Sequence, residues 1–245
     1  MTPEWLVRTS LLVGDEKIEK LQQARVLIAG LGGVGSFAAE FLCRAGVGAL
    51  TIIDGDTVDV SNKNRQLPAL DSTLGQQKAA VMATRMKDIN PSLQLEVIPH
   101  FQEPEDMRLL VDRGYDYILD CIDSFQPKLN LIRCCIEAEV AFISSMGAGG
   151  RINPEYVRLA SIEETRNCPF AQQVRKSLRR QKILRPFPVI FSDEQVIPNS
   201  VEKTDGTRYK KSYYGTISYM PALFGLHMAA FVIRQIMARP SAETP

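Results

Sequence analysis

The segment from Arg25 to Asp56 constrains the fold of this 245-residue chain more than any other part. It begins with a short apolar run rich in branched residues, which is typical of a buried parallel strand. Glycines on the G-x-G-x-x-G spacing follow, then a helical pattern from Val34 to Ala45, and then a second apolar run that ends at Asp54. The order strand, glycine turn, helix, strand and acid is that of a nucleotide-binding βαβ unit.

The residue types of this unit suit a phosphate-bearing ligand. Glycines let backbone amides approach phosphate oxygens without a Cβ atom in the way, and the helix N-terminus adds partial positive charge. Asp54 is placed to accept hydrogen bonds from a ribose. A bare glycine motif is often only a tight turn, but the flanking strands and the acid favour nucleotide binding. NAD and ATP both fit the unit, so it does not by itself choose between them.

Composition excludes several classes of protein. The net charge is +1, so no global field favours nucleic acid, and 45% hydrophobic residues are ordinary for a globular α/β domain. The five cysteines include no C-x-x-C pair, which argues against a four-cysteine zinc site and indicates reduced thiols in a cytosol. The N-terminus lacks a signal-peptide pattern. The apolar segment from Ile217 to Ile236 predicts a buried terminal helix, at a subunit interface or within the core, and not a membrane anchor.

The remaining patterns predict an α/β fold, with a Rossmann-like, mostly parallel sheet and flanking helices. The periodicity predicts helices at 74–89, 104–113, 127–138 and 169–181, and strands at 93–99, 117–121 and 140–145. We expect three parts within a single structural domain. They are an N-terminal helical arm (1–24), a nucleotide-binding part (25–150), and a C-terminal part (151–245) that continues the sheet and carries a basic helix, a loop and a terminal dimerisation helix.

Polar residues are concentrated where the predicted strands end. The loop from Asp59 to Gln66 lies at the carboxyl edge of the sheet, where Asn62, Asn64 and Arg65 could reach phosphates. The alternative is an Asx-turn with a surface arginine. Lys78 falls in the first turn of a predicted helix, where a ligand anion would explain a cation, and the alternative is a solvated lysine. Asp120 and Asp123 bracket the end of another strand and are natural magnesium partners, although such acids are also common helix caps.

Positive charge is concentrated in the second half of the chain. Between Arg151 and Arg185 stand nine basic residues and three acidic ones. On the predicted helix, Phe170, Val174 and Leu178 form an apolar stripe, and the opposite face carries Arg175, Lys176, Arg179 and Arg180. A second basic loop contains Lys203, Arg208, Lys210 and Lys211. The pattern predicts contact with a phosphate backbone, and the alternative is a solvated face neutralised by acids elsewhere in the fold.

Five motifs in their order give the chain a specific resemblance. GLGGVGS, IIDGD, SNKNRQ, LGQQK and LDCIDS, within the stretch from about Arg8 to Gly150, resemble the adenylating domain of the ubiquitin-activating-enzyme superfamily, the ThiF/MoeB/HesA group. Members use ATP to adenylate a carboxylate, so the resemblance implies an ATP-binding adenylation domain over 25–150. It implies that Asp123 holds Mg²⁺ and that Arg8 reaches across a homodimer into the partner's phosphates. The residues implied to bind ATP are Gly30, Gly32, Gly33, Gly35, Ser36, Asp54, Asp56, Asn62, Arg65, Gln66 and Lys78, and those implied in catalysis are Arg8, Arg65, Lys78 and Asp123.

Within the group, later segments narrow the resemblance. SSMGAGGRINPEYVRLASI, PFAQQVRKSLRR and the FPVIFSDE segment are similar to the tRNA threonylcarbamoyladenosine dehydratases. That resemblance implies an ATP-dependent ring closure on a modified adenosine of tRNA, in the cytoplasm, with a monovalent cation and a sulfur-acceptor or cysteine desulfurase as further expected partners. The sulfur-transfer members normally carry paired C-x-x-C motifs, which this chain lacks. Ser124 departs from the Asn that often follows Asp123 in the superfamily.

Three other functions stay open at this point. The first is activation of a ubiquitin-like sulfur-carrier protein, which uses the same adenylation chemistry. The second is an NAD-dependent oxidoreductase, against which Arg65, Lys78 and Asp123 argue, because a dinucleotide has no triphosphate–magnesium group for them to hold. The third is a non-catalytic scaffold, which would not need the whole set of ATP-site residues. Cys168 is the one thiol near the basic helix to be tested as a nucleophile.

Overall fold

The computed structural model describes residues 2–207 and 210–240, with side chains described outside 203–213. Over those residues the helices are α1 (Val7–Val13), α2 (Asp15–Gln23), α3 (Gly35–Arg44), α4 (Lys78–Ile89), α5 (Pro104–Val111), α6 (Phe125–Glu137), α7 (Pro169–Arg180) and α8 (Tyr219–Met237). The strands are β1 (Arg25–Ala29), β2 (Ala49–Ile53), β3 (Gln94–Ile98), β4 (Tyr117–Asp120), β5 (Phe142–Ser145), β6 (Val157–Ser161), β7 (Pro188–Ser192), β8 (Val201–Thr207) and β9 (Lys210–Tyr214).

Seven of the strands form one sheet in the order β3-β2-β1-β4-β5-β7-β6. All neighbours are parallel except β6, which pairs antiparallel with β7. The strand order reverses between β1 and β4, so the connections after these two strands leave in opposite directions. Ligands of open α/β sheets bind in the crevice that such a reversal creates outside the carboxyl ends of the strands.

Helices cover both faces of the sheet, and successive residues of β1 show why. Val26 and Ile28 point into a core with α3, α4 and α8, while Leu27 and Ala29 point into a core with α5, α6 and α7. A strand buried on both faces reads as a continuous apolar run, which is the pattern of RVLIA.

The C-terminal part adds to the same sheet. β7 pairs with β5, and α8 packs against α3 so closely that a Cβ atom at Gly225 would lie 2.3 Å from the carbonyl oxygen of Val34. By length and composition α8 is apolar enough to cross a membrane, but Met220, Phe224 and Met228 are among its fully buried residues. It is a core helix, as the sequence predicted, and its role in dimerisation stays a prediction.

The structure differs from the sequence prediction at several boundaries. The helix predicted from residue 74 begins at Lys78, because the preceding residues form turns that pair with the Thr57 region. The helix predicted from residue 127 begins at Phe125. The antiparallel strand β6 was not predicted. The second basic loop is largely the hairpin of β8 and β9, with Arg208 outside the described residues.

Candidate active site

The glycine turn lies at the carboxyl end of β1, beside the reversal of strand order. Gly30 has a φ of 90°, and a Cβ atom there would lie 2.9 Å from the carbonyl oxygen of Cys121. A Cβ atom at Gly35 would lie 1.8 Å from the carbonyl oxygen of Gly30, so the packing of the protein itself requires both glycines. At Gly32 a Cβ atom would meet only the Gln66 side chain, at 3.7 Å. The space over Gly32 is therefore open to a ligand's phosphate oxygens.

Two further residues of the turn are held by contacts within the protein. A Cβ atom at Gly33 would lie 2.8 Å from the Cβ atom of Pro221, so α8 presses directly on the turn. Ser36 is fully buried, and its hydroxyl donates to the carbonyl oxygen of Gly32 at 2.6 Å. These contacts fix the shape of the turn.

The Asp54 carboxylate connects the end of β2 to the glycine turn. One oxygen accepts a hydrogen bond from the Leu31 amide at 2.6 Å, and the other accepts one from the Asp56 amide at 2.8 Å. Burial raises the pKa of Asp54, while the positive charge of Lys78 and the two amides oppose that shift. Each carboxylate oxygen keeps a second lone pair, which is the capacity a ribose hydroxyl needs.

Lys78 places a cation at the start of α4, facing the end of β2. Its side chain is only 6% exposed, and Nζ lies 3.0 Å from Oδ2 of the half-exposed Asp56. The Lys78 amide also donates to the carbonyl oxygen of Asp56 at 3.0 Å. A buried ammonium at a helix N-terminus opposes the helix dipole, so its placement suits a site that receives an anion.

The loop after β2 carries three of the predicted ligands, which are Asn62, Arg65 and Gln66. Asn62 is buried, and its Oδ1 accepts from the Asp59 amide at 3.2 Å, which shapes the loop. Arg65 donates to the carbonyl oxygen of Ser61 at 2.9 Å and to Oδ1 of Asn64 at 2.8 Å. Burial lowers the pKa of Arg65. A carboxylate of the loop after β4 is close enough to oppose this shift.

Gln66 has an unpaired buried polar atom beside the glycine turn. Its Oε1 atom is buried without a hydrogen-bond partner among the described residues, and its Nε2 atom lies beside the open position over Gly32. Buried side-chain polar atoms are nearly always paired, so an unpaired one beside an open cradle is consistent with a missing ligand or water.

The carboxylate near Arg65 is Asp123, which opposes the lowering of the Arg65 pKa. Asp123 is exposed and accepts a hydrogen bond from the Ser124 hydroxyl at 3.2 Å. The sequence reading also offered Asp120 as a magnesium partner, but that carboxylate is fully buried and ion-paired with Lys128 at 2.7 Å. Of the two acids at the end of β4, the exposed one is therefore Asp123.

Arg8 lies apart from this cluster. It is exposed on α1, a helix without a buried residue, beside Leu11 and Leu12, which are each 84% exposed. Within the described part of the chain, no hydrogen bond or ion pair connects Arg8 with the glycine turn or with Lys78.

The basic helix α7 has the predicted amphipathic character, with a shifted buried stripe. Ala171, Val174 and Leu178 are buried, whereas Phe170 is half-buried. Arg175 is half-buried and donates to the Ile162 carbonyl oxygen at 3.2 Å and to the Thr165 hydroxyl. Arg179 is ion-paired with Glu163, while Lys176 and Arg180 are exposed. The side chains of Lys210 and Lys211, on β9, lie outside the described residues.

Sequence reasoning missed two buried cations. It counted Arg151 in the basic surface, but the structure buries this residue, and its guanidinium donates to the carbonyl oxygens of Gly147, Gly149, Asn167 and Glu194. It did not single out Lys128, which is fully buried. Asp120 was the one available signal for Lys128, because a carboxylate that is buried at the end of a strand needs a partner of opposite charge.

The cysteines form no metal cluster among the described residues. All five are free and buried, and the described part of the chain has no cluster of three or more histidines, cysteines and acids. Burial raises the pKa of Cys43 to about 11 and also raises that of Cys121. Cys168 is 5% exposed.

The residues present fit a nucleoside triphosphate. The open space over Gly32, the unpaired Gln66 oxygen, and the cations of Lys78 and Arg65 form a cradle for phosphates next to the Asp54 carboxylate. A magnesium ion held by one carboxylate, phosphate oxygens and waters also fits, because Mg²⁺ usually keeps several waters and needs few protein ligands.

Known proteins resemble the chain over nearly its whole length. A tRNA threonylcarbamoyladenosine dehydratase of Bacillus subtilis is 38% identical over 94% of this chain and 93% of its own length, and one of Haemophilus influenzae is 35% identical over 94% and 92%. Among solved structures, E. coli TcdA in complex with ATP is 32% identical and superposes with a TM-score of 0.84 over 94% of this chain and 93% of that chain. The same enzyme in complex with AMP gives a TM-score of 0.86. Residues 6–244 match the ThiF family, and the chain belongs to that family.

Proposed function

We propose that the chain is an ATP-dependent tRNA threonylcarbamoyladenosine dehydratase, which closes the threonylcarbamoyl group of a modified adenosine into a ring. The observation that carries this proposal is the likeness to dehydratases of that name, which extends over 94% of the chain and includes the C-terminal half. The cradle around Gly32 supports it independently, because it suits a triphosphate.

The chemistry follows from the poor reactivity of a carboxylate. A carboxylate oxygen of the substrate attacks the α-phosphorus of ATP, the bond to the β-phosphate breaks, and pyrophosphate leaves. A nitrogen of the threonylcarbamoyl chain then attacks the activated carbonyl carbon, loses its proton, and AMP leaves. The net change in the nucleoside is the loss of one water. The nucleophile belongs to the substrate, so no cysteine is needed.

The protein contributes position and charge in this proposal. Asp54 orients the ribose, the amides around Gly32 hold phosphate oxygens, and Lys78 and Arg65 offset the negative charge that moves to the leaving pyrophosphate. Mg²⁺, held through Asp123, supplies a further positive centre on the phosphates when it is bound. Arg65 and Asp123 are near enough to influence each other electrostatically, which supports a role at the same phosphates.

The tRNA is proposed to lie against the basic C-terminal part. Lys176 and Arg180 extend from α7 into solvent, where they can contact phosphates. Arg175 and Arg179 are engaged with the segment Ile162–Glu164, so in this proposal they orient the helix and add to its field. Lys210 and Lys211, on β9 in the same C-terminal part of the chain, are proposed to contact the tRNA as well.

The proposal includes a homodimer in which Arg8 serves the partner's site. The exposed apolar residues of α1 support it, because Leu11 and Leu12 would be covered by a second subunit. Mixing the inactive Arg8→Ala and Asp123→Ala enzymes tests it. If Arg8 acts in trans, mixed dimers hold one complete site, and activity returns to about a quarter of wild type. An inactive mixture that contains heterodimers would contradict the trans role.

The decisive experiment is nucleoside mass spectrometry of tRNA incubated with the protein, ATP and Mg²⁺. The modified adenosine should lose the mass of one water, and AMP should form only with tRNA present. Arg65→Ala and Asp123→Ala should both abolish the reaction with the fold intact, while Arg113→Ala, at the opposite edge of the sheet, should leave it unchanged. AMP formation that depends on a Gly-Gly carrier tail would instead support the sulfur-carrier function. Hydride transfer to NAD would support the oxidoreductase.

The proposal locates the enzyme in the cytoplasm, where its substrate tRNA is available. A bound monovalent cation and a sulfur-acceptor or cysteine desulfurase partner stay predictions from the sequence resemblance.

A further inference from the structure

A fully buried polar cluster lies at the end of β4, where Asp120 is three residues from Asp123. Lys128 on α6, Asp120 at the end of β4 and Ser144 on β5 are each fully buried. The Lys128 ammonium lies 2.7 Å from Oδ2 of Asp120 and donates to the Ser144 hydroxyl at 3.1 Å. The Ser144 hydroxyl in turn donates to the same carboxylate oxygen at 2.5 Å. A buried ion pair of this kind contributes little net stability, because both charges lose their hydration.

One oxygen of this cluster faces the loop that carries Asp123. While Oδ2 of Asp120 binds Lys128 and Ser144, Oδ1 accepts a hydrogen bond from the backbone amide of Ile122 at 3.1 Å. The backbone amide of Lys128 donates to the carbonyl oxygen of Ser124 at 3.2 Å. The Asp120 carboxylate therefore fastens the start of the loop between β4 and α6, the first backbone hydrogen bond of α6 fastens its end, and Asp123 lies between these two attachments.

The same lysine also reaches α7. Its ammonium lies 5.8 Å from the centre of the Phe170 ring, which belongs to the first turn of α7. Phe170 packs beside the glycine-rich turn of residues 146–150 that follows β5, since its Cβ atom would lie 3.6 Å from a Cβ atom at Gly147. Ser144 belongs to the strand that leads into that turn. One buried cation thus contacts residues from β4, β5 and α7.

We propose that Lys128, Asp120 and Ser144 are positioning residues that hold the β4–α6 loop so that the Asp123 carboxylate faces the proposed phosphate site. The cluster touches no substrate, since it is wholly buried, and acts through the Ile122 amide. The inference rests on the proposed function only in the role given to Asp123, because the fastening of the loop is a property of the free protein.

Two double variants isolate the hydrogen bond to Ile122. Asp120→Asn with Lys128→Met removes both charges but keeps an oxygen that can accept from the amide. Asp120→Leu with Lys128→Met also removes both charges, and it leaves the amide without an acceptor. Because neither variant leaves a buried unpaired charge, both avoid the large destabilisation that a single substitution would cause. Ser144→Ala, which deletes one hydrogen bond to Asp120, is a milder third variant.

Hydrogen exchange of the free protein tests the fastening without any ligand. We expect amide exchange in the 121–124 loop to be at least about tenfold faster in the Asp120→Leu double variant than in the Asp120→Asn one, and modestly faster in Ser144→Ala. Should the Leu variant fail to fold, Ser144→Ala decides alone. Equal exchange of this loop in all folded variants overturns the proposal.

Metal binding then tests the consequence for Asp123. With Mn²⁺ as an EPR probe and a non-hydrolysable ATP analogue, the Leu variant should bind Mn²⁺ at least about tenfold more weakly than the Asn variant. In steady-state assays the Mg²⁺ concentration for half-maximal activity should rise, while KM for tRNA changes little. Unchanged Mn²⁺ affinity in a variant with a loosened loop would show that the cluster is merely structural. If wild-type protein binds no Mn²⁺ with the analogue, the role given to Asp123 fails and the exchange result still stands.

Discussion

Lys78 and Asp56 form an ion pair of 3.0 Å at the carboxyl edge of the sheet, in which the lysine is buried and the aspartate is half-exposed. The two partners differ in hydration. The Lys78 ammonium is largely shielded from water, whereas the Asp56 carboxylate is still in contact with it. Such a cation can shift from Asp56 to a more highly charged phosphate group at low cost. The pair is thus suited to hold Lys78 ready in the absence of nucleotide.

Lys78→Met should reduce turnover by at least about 100-fold, since it removes a fixed charge opposite the phosphates. Stability should change little, because Asp56 stays in contact with solvent. Steady-state kinetics with ATP, beside a thermal melt, measures both. Lys17→Met, an exposed position on α2, is the matched control. Near-normal turnover in the Lys78 variant would remove this residue from the proposed site.

The same variant should change the pH dependence of ATP binding. Burial raises the pKa of Asp54, and the charge of Lys78 opposes that shift, so its loss should raise this pKa further. Protonated Asp54 accepts ribose hydrogen bonds less well, so the weakening of ATP binding at acidic pH should begin at a higher pH in Lys78→Met than in Lys17→Met. ATP titrations across the acidic range measure the shift, and coincident profiles would count against the coupling.

Two glycines of the turn should respond oppositely to a single methyl group. Gly32→Ala should melt near the wild-type temperature yet bind ATP at least about tenfold more weakly, because its methyl group occupies the ligand's space. Gly35→Ala should cost about 3 kcal/mol or more of folding free energy, because its Cβ atom lands on the Gly30 carbonyl. Melting curves and ATP titrations separate the two effects. A Gly32→Ala enzyme with full ATP affinity would mean that phosphates do not approach there.

The buried Glu40 should make the free energy of unfolding depend on pH. The residue is buried, and although burial opposes the shift, hydrogen bonds from Arg85 and Arg44 hold its pKa below the ordinary 4.5. A carboxyl whose pKa is depressed by folding stabilises the protein above its unfolded pKa and loses that contribution as the pH falls through its folded pKa.

Glu40→Gln should therefore lower the free energy of unfolding at pH 7 by about 1–2 kcal/mol. The difference from wild type should shrink when urea unfolding is repeated at progressively lower pH beneath about 4.5. Glu105→Gln, on the exposed first turn of α5, provides the comparison. A pH-independent difference would contradict the assigned pKa shift.

The basic helix should contribute to tRNA binding through its exposed cations. Lys176→Ala with Arg180→Ala should weaken binding and reduce the slope of log K against log salt by about 2, one unit per lost phosphate contact. The control is Arg113→Ala, whose guanidinium pairs with Glu96. Filter binding at several salt concentrations gives the slope. An unchanged slope would mean that α7 does not meet the tRNA backbone.

Local patterns were sufficient for much of the fold. The continuous apolar run of RVLIA and the glycine spacing after it predicted the first βαβ unit correctly, because both are patterns of near neighbours in the chain. Helix boundaries were less accurate. The start at Lys78 depends on the pairing of Thr57 with Gln77, which periodicity does not reveal.

For this protein the sequence by itself determined the βαβ unit, the α/β class, the positions of the polar loops at the strand ends and the family resemblance. Only the tertiary structure decided which charged residues face solvent. It buried Arg151 among carbonyl oxygens and Asp120 against Lys128, while leaving Asp123 exposed three residues away. The physical reason is that the sequence gives the charge of each side chain, whereas two other quantities depend on distant segments. These are the free-energy cost of removing that charge from water and the partner that offsets the cost.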